Sequence, residues 1–151
     1  MSWPTRRRRI ATLVEMDAFD AGVLIYAAAK DHPEGARVRP LLATDEPRVG
    51  SALLLPELLT KPLRLDSQPE VDQLVSVLAR LELVACDEQV ARLAAVLGAK
   101  YALRAADAVH LATAVSAGAE RFITNNRKDF TLDIDEVAIT YPDLLPEPPT
   151  P

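Results

Sequence analysis

The stretch that most constrains the fold is Ala105 to Ala117 (AADAVHLATAVSA), which is apolar nearly all round at helical spacing yet carries Asp107 and His110. A helix with no polar face is stable only when other elements cover it, so this one is expected in the interior. Its surroundings are short apolar runs alternating with amphipathic segments. Strands are expected at Thr12 to Phe19, Arg48 to Ser51, Leu83 to Cys86, Arg121 to Thr124 (RFIT) and Val137 to Thr140 (VAIT). Between them, helices are expected over Gly22 to Lys30, ended by a turn at Asp31, His32 and Pro33, and over Glu34 to Leu42. Pro56 opens another within ALLLPELLTK, and Pro69 sits at the start of the next, Glu70 to Glu82. Asp87 caps the segment that runs to Tyr101. Strands alternating with helices imply an α/β fold of three layers, α/β/α, with a mainly parallel central sheet and right-handed crossovers.

The 151 residues, 49% hydrophobic and 26% charged, suit one domain with a continuous core. Residues 1–9 read as a basic arm, residues 10–141 as the domain, and residues 142–151 (PDLLPEPPTP) as a Pro-rich tail. No apolar run approaches the roughly 20 residues of a bilayer span. Arg6 to Arg9 followed by Ile10 to Val14 resembles the start of an export signal, but Glu15, Asp17 and Asp20 interrupt the apolar stretch. A single cysteine, Cys86, forms no internal disulfide and offers no Cys-rich zinc site. A cytoplasmic location is therefore expected. With 22 acidic against 17 basic residues the net charge is -5, so the overall field does not recruit nucleic acid and any phosphate contact must be local.

In such a fold the C-terminal strand ends and the N-terminal helix ends share one edge, where sites form. Asp20 follows the first strand, Glu57 opens the helix after the second, Asp107 lies in the first turn of the buried helix, and Asn126 and Asp129 follow RFIT. Each has an ordinary structural role open to it, as a cap, a first-turn acid or a partner of Arg104. Together, in apolar surroundings with few basic neighbours, such carboxylates need protons or a cation. All-oxygen donors suit Mg²⁺ or Mn²⁺ better than zinc. An ion so held lowers the pKa of bound water and neutralises a phosphodiester, so hydrolysis of a phosphate ester is the expected chemistry.

The blocks DAGVLIY (Asp20 to Tyr26), SALLLPELL (Ser51 to Leu59), LRAADAVHLATA (Leu103 to Ala114) and FITNNRKDF (Phe122 to Phe130), in this order and spacing, resemble those of the PIN-domain nucleases, and among them the VapC-type ribonuclease toxins of toxin-antitoxin pairs. The resemblance implies a sheet flanked by helices, Mg²⁺ or Mn²⁺, cleavage of RNA, a homodimer and inhibition by a cognate antitoxin. Carried over by position, Asp20, Glu57 and Asp107 match the first three metal-site acids. Asn126 stands where a fourth is often Asp. An amide brings no negative charge, so either Asp129 takes that role or a second metal site is weak. Ala21 replaces a frequent hydroxyl residue, and Thr124 matches a frequent hydroxyl position beside the site.

Among the basic residues, Arg104, Arg127 and Lys128 flank the motifs and are the candidate RNA contacts, ahead of Lys61, Arg64 and the arm. His110 reads as a hydrogen-bonded packing residue, and His32 as part of a surface turn. The competing reading is a PIN-like binding module with weak or no catalysis. An aspartyl-phosphate hydrolase ranks last, because Asp17 and Asp20 are separated by two residues rather than one and lack the lysine context.

Overall fold

The computed structural model describes residues 16–147. Five strands, β1 (Asp17–Phe19), β2 (Arg48–Ser51), β3 (Glu82–Val84), β4 (Arg121–Ile123) and β5 (Ala138–Thr140), form one sheet in the order β3-β2-β1-β4-β5, with every neighbouring pair parallel. The α-helices are α1 (Ala21–Ala28), α2 (Pro33–Leu42), α3 (Leu54–Arg64), α4 (Gln68–Leu78), α5 (Glu88–Tyr101) and α6 (Ala105–Ala117). A 3-10 turn, Pro142–Leu144, follows β5.

Strand order dictates the layers. The chain steps from β1 outward to β2 and β3, then returns to the far side of β1 for β4 and β5. Because crossovers between parallel strands are right-handed as a rule, reversing the direction of travel moves the helices to the opposite face. One core accordingly gathers α1 to α4 around Val23, Leu24, Val38, Leu54, Leu58 and Leu74 with Phe19 and Ile123 of the sheet. The other gathers α5 and α6 around Leu97, Ala108 and Leu111 with Ala18, Val49 and Phe122. Successive strand residues serve opposite faces, which is why Ala18 and Phe19, or Phe122 and Ile123, belong to different cores.

Local signals start and stop the helices. Pro33 occupies the first turn of α2, and His32 caps it, Nδ1 accepting from the Glu34 N–H at 3.1 Å while the ring stacks on Tyr26 at 3.8 Å. Asp87 caps α5 by accepting from the Val90 N–H at 2.9 Å. Gly118, at φ +77°, ends α6 in the left-handed conformation that glycine adopts without strain.

Several boundaries differ from the sequence reading, most by one or two residues. The helix expected over Glu70 to Glu82 ends at Leu78, and β3 begins at Glu82 rather than Leu83. Leu81 packs with Leu74 and Leu78 in one core, so it extends the helical spacing although the helix has already ended. Helix α3 starts at Leu54, two residues before Pro56; first-turn N–H groups have no acceptor within the helix, so proline there removes no bond. Finally, the segment read as a tail from residue 142 is packed as far as Leu145, which is buried beside α1 to α4 and whose carbonyl accepts from Arg37 Nη1 at 2.8 Å. The expected arm, and the part of the first strand before Met16, lie outside the described residues. Among the described residues no helix is long and apolar enough to cross a membrane.

Candidate active site

A parallel sheet places every strand's C-terminal end on one edge. Strands β1 and β4 lie side by side there, yet their chains leave in opposite directions, β1 toward β2 and β4 toward β5, which opens a crevice between them. Asp20 leaves β1 and Thr124 leaves β4, so the topology brings the two together across 104 residues of chain. The Thr124 hydroxyl donates to Asp20 Oδ2 at 2.7 Å, and the Ala21 N–H donates to Oδ1 at 2.9 Å, fixing both carboxylate oxygens. Thr124 Oγ1 in turn accepts from the Asn126 N–H at 3.0 Å. Asp20 is only 6% exposed. Burial pushes its carboxyl above the ordinary range; the Thr124 hydrogen bond, the charge of His110 and the Ala21 N–H oppose the rise, and the charge of Glu57 adds to it.

Asp107 stands half-buried in the first turn of α6. Its carboxyl is also raised, by burial first and then by the negative charges of Asp20, Asp129 and Glu57, with His110 acting against them. Arg104, three residues before it, is exposed and makes no ion pair with it among the described residues. Glu57, in the first turn of α3, is the most open of the group, with its side chain 36% exposed. Its Oε1 accepts a hydrogen bond from His110 Nε2. His110, one turn along α6 from Asp107, is buried with its side chain 1% exposed, and its Nδ1 has no partner among the described residues. The expected packing role is thus only half of what His110 does, since its hydrogen bond reaches an acid of the edge.

The loop after β4 closes the edge. Asn126 Nδ2 donates to Asp129 Oδ2 at 3.1 Å, and the Asp129 N–H donates to Asn126 Oδ1 at 3.2 Å. Asn126 therefore works as a turn-forming amide that orients Asp129, and it is Asp129 whose charge reaches Asp107. Arg127 is drawn away, its Nη2 2.6 Å from Asp143 Oδ1 and its guanidinium 4.3 Å above the Tyr141 ring. Lys128, like Arg104, is exposed and without an ion pair among the described residues. Asn125, which the sequence reading passed over, packs against Gly22 so closely that a Cβ at position 22 would lie 2.5 Å from Asn125 Oδ1. The one sequence signal for it was a glycine inside an otherwise apolar helix start.

The donors at this edge are carboxylate, hydroxyl and amide oxygens, the chemistry of a hard divalent cation. Four carboxylates share one field, opposed by the imidazole of His110, so the charge also fits a cation. The fit is one of chemistry and charge: as the side chains stand, no group of three His, Cys, Asp or Glu among the described residues is closed around one point. Glu57 is held by His110, and Asp129 by Asn126.

Residues 18–134 match the family model described as PIN domain. No curated protein matches the chain. Among solved structures, similar folds occur in a VapBC from Salmonella typhimurium bound to DNA (24% identity over 85% of this chain and 98% of that one, TM-score 0.69) and in a toxin-antitoxin complex from Klebsiella pneumoniae (23% identity over 83% and 97%, TM-score 0.67). A third is VapBC2 from Rickettsia felis bound to a DNA fragment from its promoter (18% identity over 83% and 98%, TM-score 0.68). A family match that runs from the middle of β1 to the loop before β5, and so takes in every acid of the edge, shows that the chain belongs to the PIN domain family.

Proposed function

We propose that this protein is a metal-dependent endoribonuclease, the toxin of a toxin-antitoxin pair, acting in the cytoplasm as a homodimer on RNA phosphodiester bonds. The observation that carries the reading is the field shared by Asp20, Glu57, Asp107 and Asp129 at the sheet edge, with which no lysine or arginine among the described residues forms an ion pair. Family membership and the toxin-antitoxin complexes among the similar folds support the same reading.

In this mechanism Asp20, Glu57 and Asp107 hold Mg²⁺ or Mn²⁺, with Asp129 as the fourth acid. When bound, the ion supplies an acidified water and neutralises phosphate charge. Thr124 keeps the Asp20 carboxylate aimed, since its hydroxyl donates to one oxygen while the Ala21 N–H holds the other. Arg104 and Lys128, exposed beside the acids, take phosphates of the RNA. No side chain is needed as a covalent nucleophile.

The test is cleavage of a mixed RNA substrate by antitoxin-free protein with Mn²⁺. The expected result is cleavage that is lost in Asp20→Asn, and intact RNA under metal-saturated conditions defeats the proposal. The pairing of Asn126 with Asp129 favours one second reading, a binding module whose fourth acid is occupied by the protein itself. That reading requires RNA binding without turnover and no calorimetric Mn²⁺ signal.

A further inference from the structure

We propose that His110 is a positioning residue, which fixes the Glu57 carboxylate at the acidic edge through its Nε2–H. The inference rests on the nuclease reading above and assigns a task to a residue that the chemistry itself does not require.

Helices α3 and α6 approach the edge from different cores, and the hydrogen bond between Glu57 and His110 joins them across 53 residues of chain. Glu57 has three rotatable bonds and substantial exposure, and this bond is its restraint among the described residues. The imidazole has two rotatable bonds, and burial locks both. Fixing the glutamate from a rigid buried donor removes the freedom that an ion would otherwise have to overcome. Among the described residues only Oε1 is engaged, so Oε2 keeps its lone pairs for an ion or a water.

Packing alone does not account for the imidazole. Nδ1 is buried in an apolar helix without a partner among the described residues, a cost that leucine at the same place would not carry. A residue that served only the core would gain from the replacement.

The proposal is tested with His110→Leu and His110→Gln, the second retaining a side-chain N–H with comparable reach. Mn²⁺ binding is read by calorimetry, RNA cleavage by initial rate, and folding by thermal melting. His110→Leu is expected to melt no lower than wild type, to bind Mn²⁺ about 10-fold more weakly and to cut correspondingly slowly, the usual size of effect for a group that orients a metal ligand. His110→Gln is expected to recover most of both. Should His110→Leu not fold, His110→Asn replaces it; its amide is too short to reach Glu57, so it is expected to fail where glutamine succeeds. The positioning role is overturned when a folded His110→Leu binds Mn²⁺ and cuts like wild type, or when glutamine does no better than leucine or asparagine. A wild-type protein that neither binds Mn²⁺ nor cuts RNA overturns the nuclease reading itself, and the positioning role with it.

Discussion

Asp17 and Asp20 lie three residues apart at the two ends of β1, each 6% exposed, and they are treated in opposite ways. At the N-terminal edge, Asp17 faces Arg121 of the paired strand β4, which donates through Nε at 2.8 Å and Nη2 at 2.9 Å. At the C-terminal edge, Asp20 meets a neutral hydroxyl and a backbone N–H, and the charges acting on it include those of Glu57 and Asp107, with His110 opposing them. A buried carboxylate that serves the fold is neutralised where it stands, whereas one left short of positive charge is held ready for something the chain does not itself contain. The pairing also removes Asp17 from any site chemistry, since it occupies the wrong edge and a guanidinium covers both its oxygens.

Exchanging the two residues' roles gives the largest expected effect. Asp20→Asn lowers RNA cleavage by about 100-fold or more while melting at or above the wild-type temperature, because it removes a charge that burial disfavours. Retained cleavage in a folded Asp20→Asn protein breaks the contrast outright. Asp17→Asn does the reverse: cleavage persists, and urea denaturation shows a loss of about 2 kcal/mol, the scale of a hydrogen-bonded charge pair deprived of one partner.

The pH dependence of stability sharpens the comparison. A carboxyl raised by folding holds its proton more tightly in the folded state, so wild type loses ground to Asp20→Asn as pH climbs from 3.8 through the raised value. Glu136 supplies the opposite case. Lys100 Nζ at 2.8 Å and the Tyr101 hydroxyl at 2.6 Å bring its carboxyl down from 4.5 to about 2. Its contribution is complete above 4.5 and fades as pH falls toward 2, so wild type loses ground to Glu136→Gln in acid. Melting curves of the three proteins from pH 3 to 7 check both signs, and slopes of the same sign refute the assignment. The smallest effect concerns RNA: Arg104→Ala and Lys128→Ala are each expected to reduce the salt slope of RNA affinity by ~0.7, with Arg127→Ala changing it less because Asp143 already engages that side chain.

Much of this was legible in the chain because it depends on local pattern. The alternation of apolar runs and amphipathic segments gives the layered parallel sheet, β2 and α6 fall where their residues put them, and Asp87 announces its cap. The acids were legible as candidates because each follows a strand or opens a helix. What they touch was not. Asn126 and Asp129 form a turn between themselves, Arg127 folds back onto Tyr141 and Asp143, and His110 finds Glu57, all through contacts that residue type alone does not specify. Near β3, Leu81 continued a helical spacing past the helix's true end because burial, which sets the spacing, does not require the helix to continue.

Sequence by itself determined which residues are apolar, where helices begin, and that several carboxylates would fall at element ends, since these follow from backbone geometry and side-chain solubility over a few residues. Only the tertiary structure decided that, among the described residues, Asp17 receives a guanidinium and Asp20 does not. The strand order sets β1 beside β4, and the register places Arg121 opposite Asp17 and leaves Thr124 beside Asp20. Partners 104 residues apart are chosen by which strands become neighbours, a property of the whole sheet rather than of any segment in it.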